Sequence, residues 1–319
     1  MKAKLLLSLL LSFPFCLLSS QVPRWQHING PTDSSLVGAL VVDPATKYIY
    51  AGTWEGVLRS ADNGLTWDPK NNGLSHKGLR ILSMAINGKD IWLGTYGGGI
   101  YLSSDNGENW IPVNNGLTED ALIVKSIAIN DNDIYLGTYG GGVYFSSGNV
   151  KSWTAVNDGL SGDNLIVLSV AISKNRIFIG TMDGSVFSSA GNNSSWTRLL
   201  TAPEYLLYSP GSVNYVGVTN DNSLVAGSNS GAFLSTDNGN KWASINNGLR
   251  DSTVISMAFS GTTLLAGTHG GSIFISANNG KNWKEIGDGL SKASVISLSI
   301  GDNYYFAGTG GRGVWKLQR

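Results

Sequence analysis

The sequence predicts an all-β protein built as a ring of seven four-stranded antiparallel sheets, that is, a seven-bladed β-propeller. A tryptophan returns about every 43 residues along most of the 319-residue chain. Each repeat carries four short apolar segments separated by turn residues, as expected for short strands joined by tight loops. Glycine is abundant, at 42 residues, and charged residues make up only 14%. This composition is typical of many short strands rather than of helices.

Each recurring tryptophan closes an octet rich in Ser, Asp, Asn and Gly, of which SADNGLTW is the clearest. The tryptophans are Trp67, Trp110, Trp153, Trp196, Trp242 and Trp283. A repeat that runs almost from end to end indicates one closed array instead of two domains. We therefore expect a single propeller over residues 21–319.

The four segments of a repeat are named A to D in chain order. Segment A is an apolar run such as LRILSMAIN, and segment B ends in a Gly-Thr or Gly-Ser pair that occurs seven times. Segment C follows a glycine and runs into the octet, and segment D contains the tryptophan and usually ends in NGL or DGL. The last repeat stops after segment C, whereas RWQHING around Trp25 is a D segment without the other three. Pairing the two chain ends completes the seventh sheet and closes the ring.

The octets SADNGLTW, SSDNGENW, STDNGNKW and SANNGKNW resemble the Asp-box, or BNR, repeat S-x-D-x-G-x-x-W of sialidases, sortilin, two-propeller xyloglucanases and photosystem II assembly-factor propellers. We expect a C-to-D hairpin in which the acidic residue accepts backbone N–H bonds, the glycine takes a positive φ and the tryptophan packs between blades. Besides the six tryptophans, the residues expected in these structural roles are Asp62, Gly64, Asp105, Gly107, Asp237, Gly239, Asn278 and Gly280.

Two octets, SSGNVKSW and SAGNNSSW, depart from this pattern, because Gly148 and Gly191 stand at the acidic position. Their tryptophans, Trp153 and Trp196, remain. Since the carboxylate can be lost while the tryptophan is kept, we interpret the octet as structural. A calcium loop would need more carboxylates and a bidentate Glu. Three scattered histidines and one cysteine, Cys16, likewise predict no metal site and no cofactor.

The first residues, MKAKLLLSLLLSFPFCLLSSQ, predict a secretory signal peptide over residues 1–20. Lys2 and Lys4 precede an apolar run too short to span a bilayer, and small residues follow near Ser20. Cys16 lies within this segment and lacks the small preceding residue of a lipidation signal. We expect a secreted or periplasmic protein that does not span the membrane.

The charge balance argues against a nucleic-acid-binding surface. Removing Lys2 and Lys4 from the 22 basic residues leaves 20 against 22 acidic ones, so the exported chain has no basic excess to offer a phosphate backbone. The expected partner is an unknown protein or a glycan, and we expect the propeller to be a monomer.

In propellers the B-to-C and D-to-A loops share one face, named the loop face below, and the octets lie on the other. The B-to-C loops place one distinctive side chain per blade around the mouth of the central channel: Trp54, Tyr96, Tyr139, Met182, Asn229, His269 and Arg312. Glycine-flanked aromatics suit stacking on a sugar ring or gripping a loop of a partner. The repeated TYGGG loops can equally reflect duplication, with both tyrosines packed against neighbouring blades.

A longer D-to-A connection follows the fourth octet, where TAPEYLLYSPGS replaces the short NGL turn. It is predicted to bring Tyr205 and Tyr208 to the loop face. Long loops with exposed aromatics often bind partners. The alternative is a plug folded over the channel mouth.

Enzymatic activity is the alternative to binding. A sialidase is not expected, because VPR stands at residues 22–24 in place of the R-I-P element that the resemblance implies, and the blade count differs. Another glycoside hydrolase would need two carboxylates about 5 to 10 Å apart, for which Glu55 and Asp183 are the loop-face candidates. They belong to the first and fourth blades, across the channel. The leading hypothesis is a non-catalytic binding or assembly scaffold.

Overall fold

The computed structural model describes residues 24–28, 35–147, 150, 152–190, 195–200, 211–290 and 292–319. In this part of the chain, 28 strands form seven four-stranded antiparallel sheets that follow one another around a ring. The prediction of a seven-bladed β-propeller is confirmed. The predicted signal peptide over residues 1–20 lies outside the described residues, as do Tyr205 and Tyr208. No helix that the described ranges contain is long and apolar enough to cross a membrane.

Strands are numbered β1 to β28 in chain order, and each blade places them from the channel outward. The innermost strands are β2 (Val37–Val42), β6 (Ile81–Asn87), β10 (Val124–Asn130), β14 (Val167–Ser173), β18 (Val213–Val218), β22 (Val254–Ser260) and β26 (Val295–Ile300). The second strands are β3 (Ile49–Thr53), β7 (Asp90–Thr95), β11 (Asp133–Thr138), β15 (Arg176–Thr181), β19 (Leu224–Ser228), β23 (Thr263–Thr268) and β27 (Tyr304–Thr309).

The outer half of each blade is shorter. The third strands are β4 (Gly56–Ser60), β8 (Ile100–Ser103), β12 (Val143–Ser147), β16 (Val186–Ser189), β20 (Gly231–Ser235), β24 (Ile273–Ser276) and β28 (Val314–Gln318). The outermost strands are β5 (Asp68–Pro69), β9 (Ile111–Pro112), β13 (Thr154–Ala155), β17 (Thr197–Leu200), β21 (Ala243–Ser244), β25 (Lys284–Glu285) and β1 (Gln26–Ile28). Short 3-10 helices at His76–Leu79, Glu119–Ala121 and Gly162–Leu165 lead into the next blade.

The two ends of the chain close the ring as predicted. β1 pairs with β28 in the seventh sheet, and Gln26 lies opposite Lys316. Trp25 is buried and donates its indole N–H to the carbonyl oxygen of Ile286 in the sixth blade at 2.6 Å. The outermost strands begin one residue after each tryptophan, rather than at the tryptophan itself. The terminal blade is therefore held both by its own sheet and by the blade before it.

The seven Gly-Thr or Gly-Ser pairs mark a close approach between neighbouring blades. A Cβ added to each glycine would lie 2.4 to 2.8 Å from a methyl group of a buried β-branched residue in the next innermost strand. The pairs are Gly52 with Ile81, Gly94 with Val124, Gly137 with Val167, Gly180 with Val213, Gly227 with Val254, Gly267 with Val295 and Gly308 with Val37. The last pair joins the seventh blade to the first, so one repeated contact closes the ring.

Each innermost strand contains a β-bulge directly after its β-branched contact residue. The strand pairing skips Gly38, Leu82, Lys125, Leu168, Asn214, Ile255 and Ile296. A bulged residue leaves the regular pairing, and its side chain is re-aimed. All seven line the central cavity. We name this set the bulge ring.

Replacing Gly137 with alanine should lower the free energy of unfolding by about 1–3 kcal/mol, the usual cost of overpacking a core. The new methyl group would lie 2.8 and 2.9 Å from methyl groups of Val167 and Val170. The measurement is equilibrium unfolding in guanidinium chloride. Gly287→Ala is the control, because the nearest atom to its Cβ would be 3.6 Å away. Equal stabilities of the two variants would contradict the proposed contact.

Candidate binding face and central channel

The B-to-C loops are shaped by the Thr or Ser that ends each second strand. In all seven blades its hydroxyl donates to a backbone carbonyl at the start of the third strand, at 2.8 to 3.2 Å. In blades two to seven the backbone N–H of the next residue donates to the carbonyl just before the innermost strand, as Tyr96 does to Arg80 at 2.8 Å. The hydroxyl bond spans three residues in the first and fifth blades and four in the others, so the loops share these bonds although their lengths differ.

A second support comes from the first asparagine of the N-N-G-L or N-D-G-L turn, which our sequence reasoning missed. Asn71, Asn114, Asn157 and Asn246 each accept a backbone N–H from the third strand at 2.7 to 2.8 Å. Their side-chain amides donate to a carbonyl of the same B-to-C loop. The signal was present as an asparagine directly before each of four Asn-Gly or Asp-Gly pairs. The turn that follows the outermost strand of a blade therefore holds the B-to-C loop of the same blade in place.

Four of the predicted loop-face residues are exposed apolar side chains from consecutive blades. Trp54, Tyr96, Tyr139 and Met182 are 45%, 48%, 42% and 40% exposed, respectively. We name these four residues the apolar arc. The two tyrosines are not packed away between blades, because about half of each side chain remains accessible. Trp54, Tyr96 and Tyr139 also line the central cavity.

Two side-chain contacts hold members of the apolar arc in place. The Tyr139 hydroxyl lies 3.8 Å from the Met182 sulfur in the next blade. The Arg80 guanidinium carbon lies 5.5 Å from the centroid of the Trp54 ring, within the range of a cation–π contact. Two members of the apolar arc, Tyr139 and Met182, therefore contact each other across a blade boundary, and Trp54 contacts Arg80 of the next blade.

The other three blades present polar groups at the mouth. Asn229 and His269 occupy the same loop position as the apolar arc and are exposed. In the seventh blade this position belongs to Gly310, whose N–H donates to the carbonyl of Ser294 at 2.9 Å. Arg312 lies two residues further along and is exposed. The sequence alignment that placed Arg312 at the equivalent position is therefore corrected by two residues, because the hydrogen bonds align Gly310 instead.

The two candidate catalytic carboxylates do not form a pair. Asp183 accepts hydrogen bonds from Thr181 and Ser185 at 2.5 to 3.1 Å. It also forms an ion pair with Arg198 at 3.2 Å. Glu55 accepts a hydrogen bond from a serine hydroxyl of its own blade. Since the two carboxylates belong to non-adjacent blades and each is held within its own blade, the structure does not bring them together.

The octets form tight hairpins at the far ends of the third strands, away from the loop face. Asp62 accepts hydrogen bonds from the backbone N–H and the hydroxyl of Thr66 at 2.9 and 2.6 Å. The Ser60 hydroxyl donates to Asp62 and accepts the N–H of Gly64, both at 2.8 Å. Asp105, Asp237 and Asn278 accept the equivalent backbone N–H. No three His, Cys, Asp or Glu side chains among the described residues lie together as a metal site would require.

Four of the six octet tryptophans tie neighbouring blades together. The indole N–H groups of Trp110, Trp153, Trp196 and Trp283 donate to carbonyl oxygens in the preceding blade at 2.6 to 2.8 Å. Trp153 and Trp196 keep this bond although their octets lack the acidic residue. Trp242 differs, because its indole N–H donates to Gly239 of its own octet at 3.0 Å. Leu199 of the longer β17 packs against Gly239 there.

The architecture and its octets agree with one protein family. The family model described as photosynthesis system II assembly factor YCF48 matches residues 18–285, which is most of the chain. The chain belongs to this family. The YCF48 match spans all six octets, including the two with glycine at the acidic position. A comparison with curated proteins found no match.

Solved structures of the same fold come from proteins with different roles. The extracellular domain of BT4673 from B. thetaiotaomicron matches with a TM-score of 0.77 and 18% identity over 94% of this chain, which spans only 40% of that domain. YCF48 bound to a D1 peptide matches with a TM-score of 0.68 and 17% identity over 92% of this chain and 96% of that one. Virginiamycin B lyase from Staphylococcus aureus matches with a TM-score of 0.74 and 11% identity over 93% and 99%. At these identities the likeness concerns the fold alone.

The octet aspartates predict a loss of stability in acid. Hydrogen bonds from Thr66 lower the pKa of Asp62 to about 2, and those from Asn109 lower the pKa of Asp105 to about 2. An unfolded aspartate has a pKa of about 3.9. Because the folded value is the lower one, the contribution is complete above about pH 4 and disappears as the pH falls toward about 2.

We therefore expect the guanidinium chloride midpoint of the wild type to fall between about pH 4 and about pH 2. The fall should be smaller in the Asp62→Asn, Asp105→Asn double variant, which no longer titrates at these positions. Asn278 occupies the equivalent place in the sixth octet, so asparagine fits the hairpin. Parallel pH profiles for the two proteins would contradict this role of the aspartates.

Proposed function

We propose that this chain is an exported, monomeric, non-catalytic propeller that binds a protein segment through its loop face and acts as a binding or assembly scaffold. The observation that carries this proposal is the apolar arc, in which consecutive blades expose an apolar side chain at the same loop position. Contiguous exposed apolar surface marks an interaction site more often than isolated apolar residues do. Aromatic and methionine side chains are the types enriched in interface cores.

The rigidity of the loops supports a binding role. Thr95 and Asn114 hold the loop that carries Tyr96, and Thr138 and Asn157 hold the loop that carries Tyr139. Side chains that are already positioned lose less conformational entropy on association. Membership of the YCF48 family and the YCF48 structure with a bound D1 peptide also support a peptide segment as the partner.

A glycan is the second candidate. Tyr96 and Tyr139 offer flat apolar rings, and Asn229 and His269 offer hydrogen-bonding groups around the same mouth. Aromatic rings with polar neighbours can stack on sugars. A hydrolase is the least supported reading, because Glu55 and Asp183 are held apart in separate blades.

Export and the monomeric state belong to the same proposal. The predicted signal peptide over residues 1–20 supports export, and the fold shared with an extracellular domain agrees with it. We expect the exported protein to begin at Gln21 and to scatter light as a single chain. Intact-mass spectrometry and size-exclusion chromatography with light scattering measure both properties. A retained leader or a stable dimer would contradict them.

The binding proposal predicts that Tyr96→Ala with Tyr139→Ala weakens peptide binding by about 10- to 100-fold, since buried aromatic anchors contribute on this scale. The probes are peptides selected on the purified wild type from a phage-displayed random library, with affinities measured by calorimetry. A glycan array is run on the same protein.

The control replaces Leu65 and Ile111, exposed apolar residues outside the apolar arc, with alanine, and we expect unchanged affinity. The melting temperatures of both double variants are compared with that of the wild type. Peptide binding that survives the loss of both tyrosines, or selection of glycans but no peptides, would overturn the proposal.

A further inference from the structure

The central cavity contains one charged side chain in an otherwise uncharged wall. The cavity measures about 920 Å³ and is lined by the innermost strands and by Trp54, Tyr96 and Tyr139 at its mouth. Its size lies within the range of small-molecule sites, about 300–1,000 Å³. Among the lining residues that the structure describes, Lys125 is the one cation, and none is Asp or Glu.

Lys125 owes its position to the bulge ring. Five members of that ring have apolar side chains or none, and only Lys125 and Asn214 are polar. The amide of Asn214 is already engaged, because it donates to the Asn229 side chain at 2.9 Å and to the Val254 carbonyl at 3.0 Å. The Lys125 side chain makes no hydrogen bond or ion pair with any residue in the described ranges. Its ammonium is therefore the charged group of the described channel lining, and it has no partner of opposite charge there.

The place of Lys125 in the ring sets what surrounds its ammonium group. Its neighbours at equivalent positions in the adjacent blades are Leu82 and Leu168. Tyr96 forms an antiparallel β-bridge with Ile123, which lies two residues before Lys125. Val124, directly before Lys125, pairs with Thr138, the residue before Tyr139. Lys125 thus lies just inside the mouth, below the two tyrosines of the apolar arc.

The surroundings are unfavourable for a free cation. Desolvation lowers the pKa of the Lys125 ammonium below its ordinary value. Three tyrosines, Tyr96, Tyr139 and Tyr215, also line the channel, and burial raises the pKa of Tyr215. A partly buried charge with no partner is destabilising unless a ligand supplies the opposite charge. An unpaired ammonium at this position therefore points to an anion that enters the channel.

We propose that the central channel is a binding site for a single carboxylate carried on an apolar body. The Lys125 ammonium donates charge-assisted hydrogen bonds to the carboxylate. Leu82, Leu168 and Ile255 of the bulge ring contact the apolar part. One cation matches one negative charge, so phosphate and sulfate fit the site less well. This site lies inside the ring and goes beyond the loop-face surface proposed above.

The carboxylate can come from a small amphipathic acid or from the C terminus of a protein that ends in apolar residues. Calorimetry on the exported chain distinguishes the two sources. The small probes are hexanoate and 3-phenylpropionate, each compared with its amide. The peptide probe is an acetylated pentapeptide ending in Leu-Val-Leu, with a free or an amidated C terminus. Binding of either kind supports the site and names its source.

We expect the free acid to bind at least about tenfold more tightly than its amide, a difference typical of a charge-assisted bond. Lys125→Met should abolish this preference, and Lys125→Arg should retain it. Lys89→Met, the same change at an exposed lysine away from the channel, should behave as the wild type. The unfolding midpoint of Lys125→Met without ligand should equal or exceed that of the wild type, because an unpaired charge is removed.

Three results would overturn the proposal: no saturable binding of any probe, equal binding of acid and amide, or an acid preference that survives in Lys125→Met. A lowered midpoint in Lys125→Met would show that this lysine stabilises the fold instead. Because Tyr96 and Tyr139 line the mouth of the channel as well as the loop face, Lys125→Met is the variant that separates the two proposals. An acid preference that survives in Lys125→Met overturns the channel site and leaves the loop-face proposal intact. Peptide binding that survives in the tyrosine double variant overturns the loop-face proposal and leaves the Lys125 site intact.

Discussion

The structure depends on one steric contact, repeated at every blade boundary. The glycine near the end of each second strand leaves space for a β-branched side chain at the start of the next innermost strand. A single repeat cannot bury both faces of its sheet, so each blade becomes stable only when a neighbour covers it. Hydrogen bonds reinforce the contact, among them Ser83 to the carbonyl of Val124 at 3.1 Å and Ser256 to that of Val295 at 2.7 Å. Because the seventh glycine meets Val37 of the first blade, the ring has no open end.

The same Gly-Thr or Gly-Ser pair at the end of each second strand contributes both to the packing between blades and to the loop face. In a Gly-Thr pair the glycine admits the next blade, and the threonine closes the loop that carries the exposed side chain. The fold therefore constrains the residues before and after the exposed position of the B-to-C loop, whereas the residue type at that position is not constrained. The position is occupied by tryptophan, tyrosine, methionine, asparagine, histidine and glycine in different blades. This separation allows the fold to host unrelated functions, as its likeness to an assembly factor and to a lyase illustrates.

The chemistry around the channel is asymmetric although the fold is nearly symmetric. The first four blades supply the apolar arc, whereas the fifth and sixth supply Asn229 and His269. Inside the mouth, the third blade contributes Lys125, the charged member of the bulge ring, close to the loops that carry Tyr96 and Tyr139. The charge and the exposed rings therefore lie on the same side of the channel, and a ligand could contact both.

The sequence by itself determined the all-β class, the number of blades, the closure by Trp25 and the residues of the apolar arc. These follow from signals of a few residues that recur at a fixed period, and short turns depend mainly on local backbone preferences. Tertiary structure alone decided that Gly310 takes the place assigned to Arg312, that Trp242 bonds within its own octet, and that Tyr96 and Tyr139 are exposed instead of packed between blades. It also decided that Lys125 enters the channel, since LIVKSIAIN reads as a regular strand. The direction of a bulged side chain depends on pairing with another strand and on contact with another blade about 40 residues away, and these contacts exist only once the ring has formed.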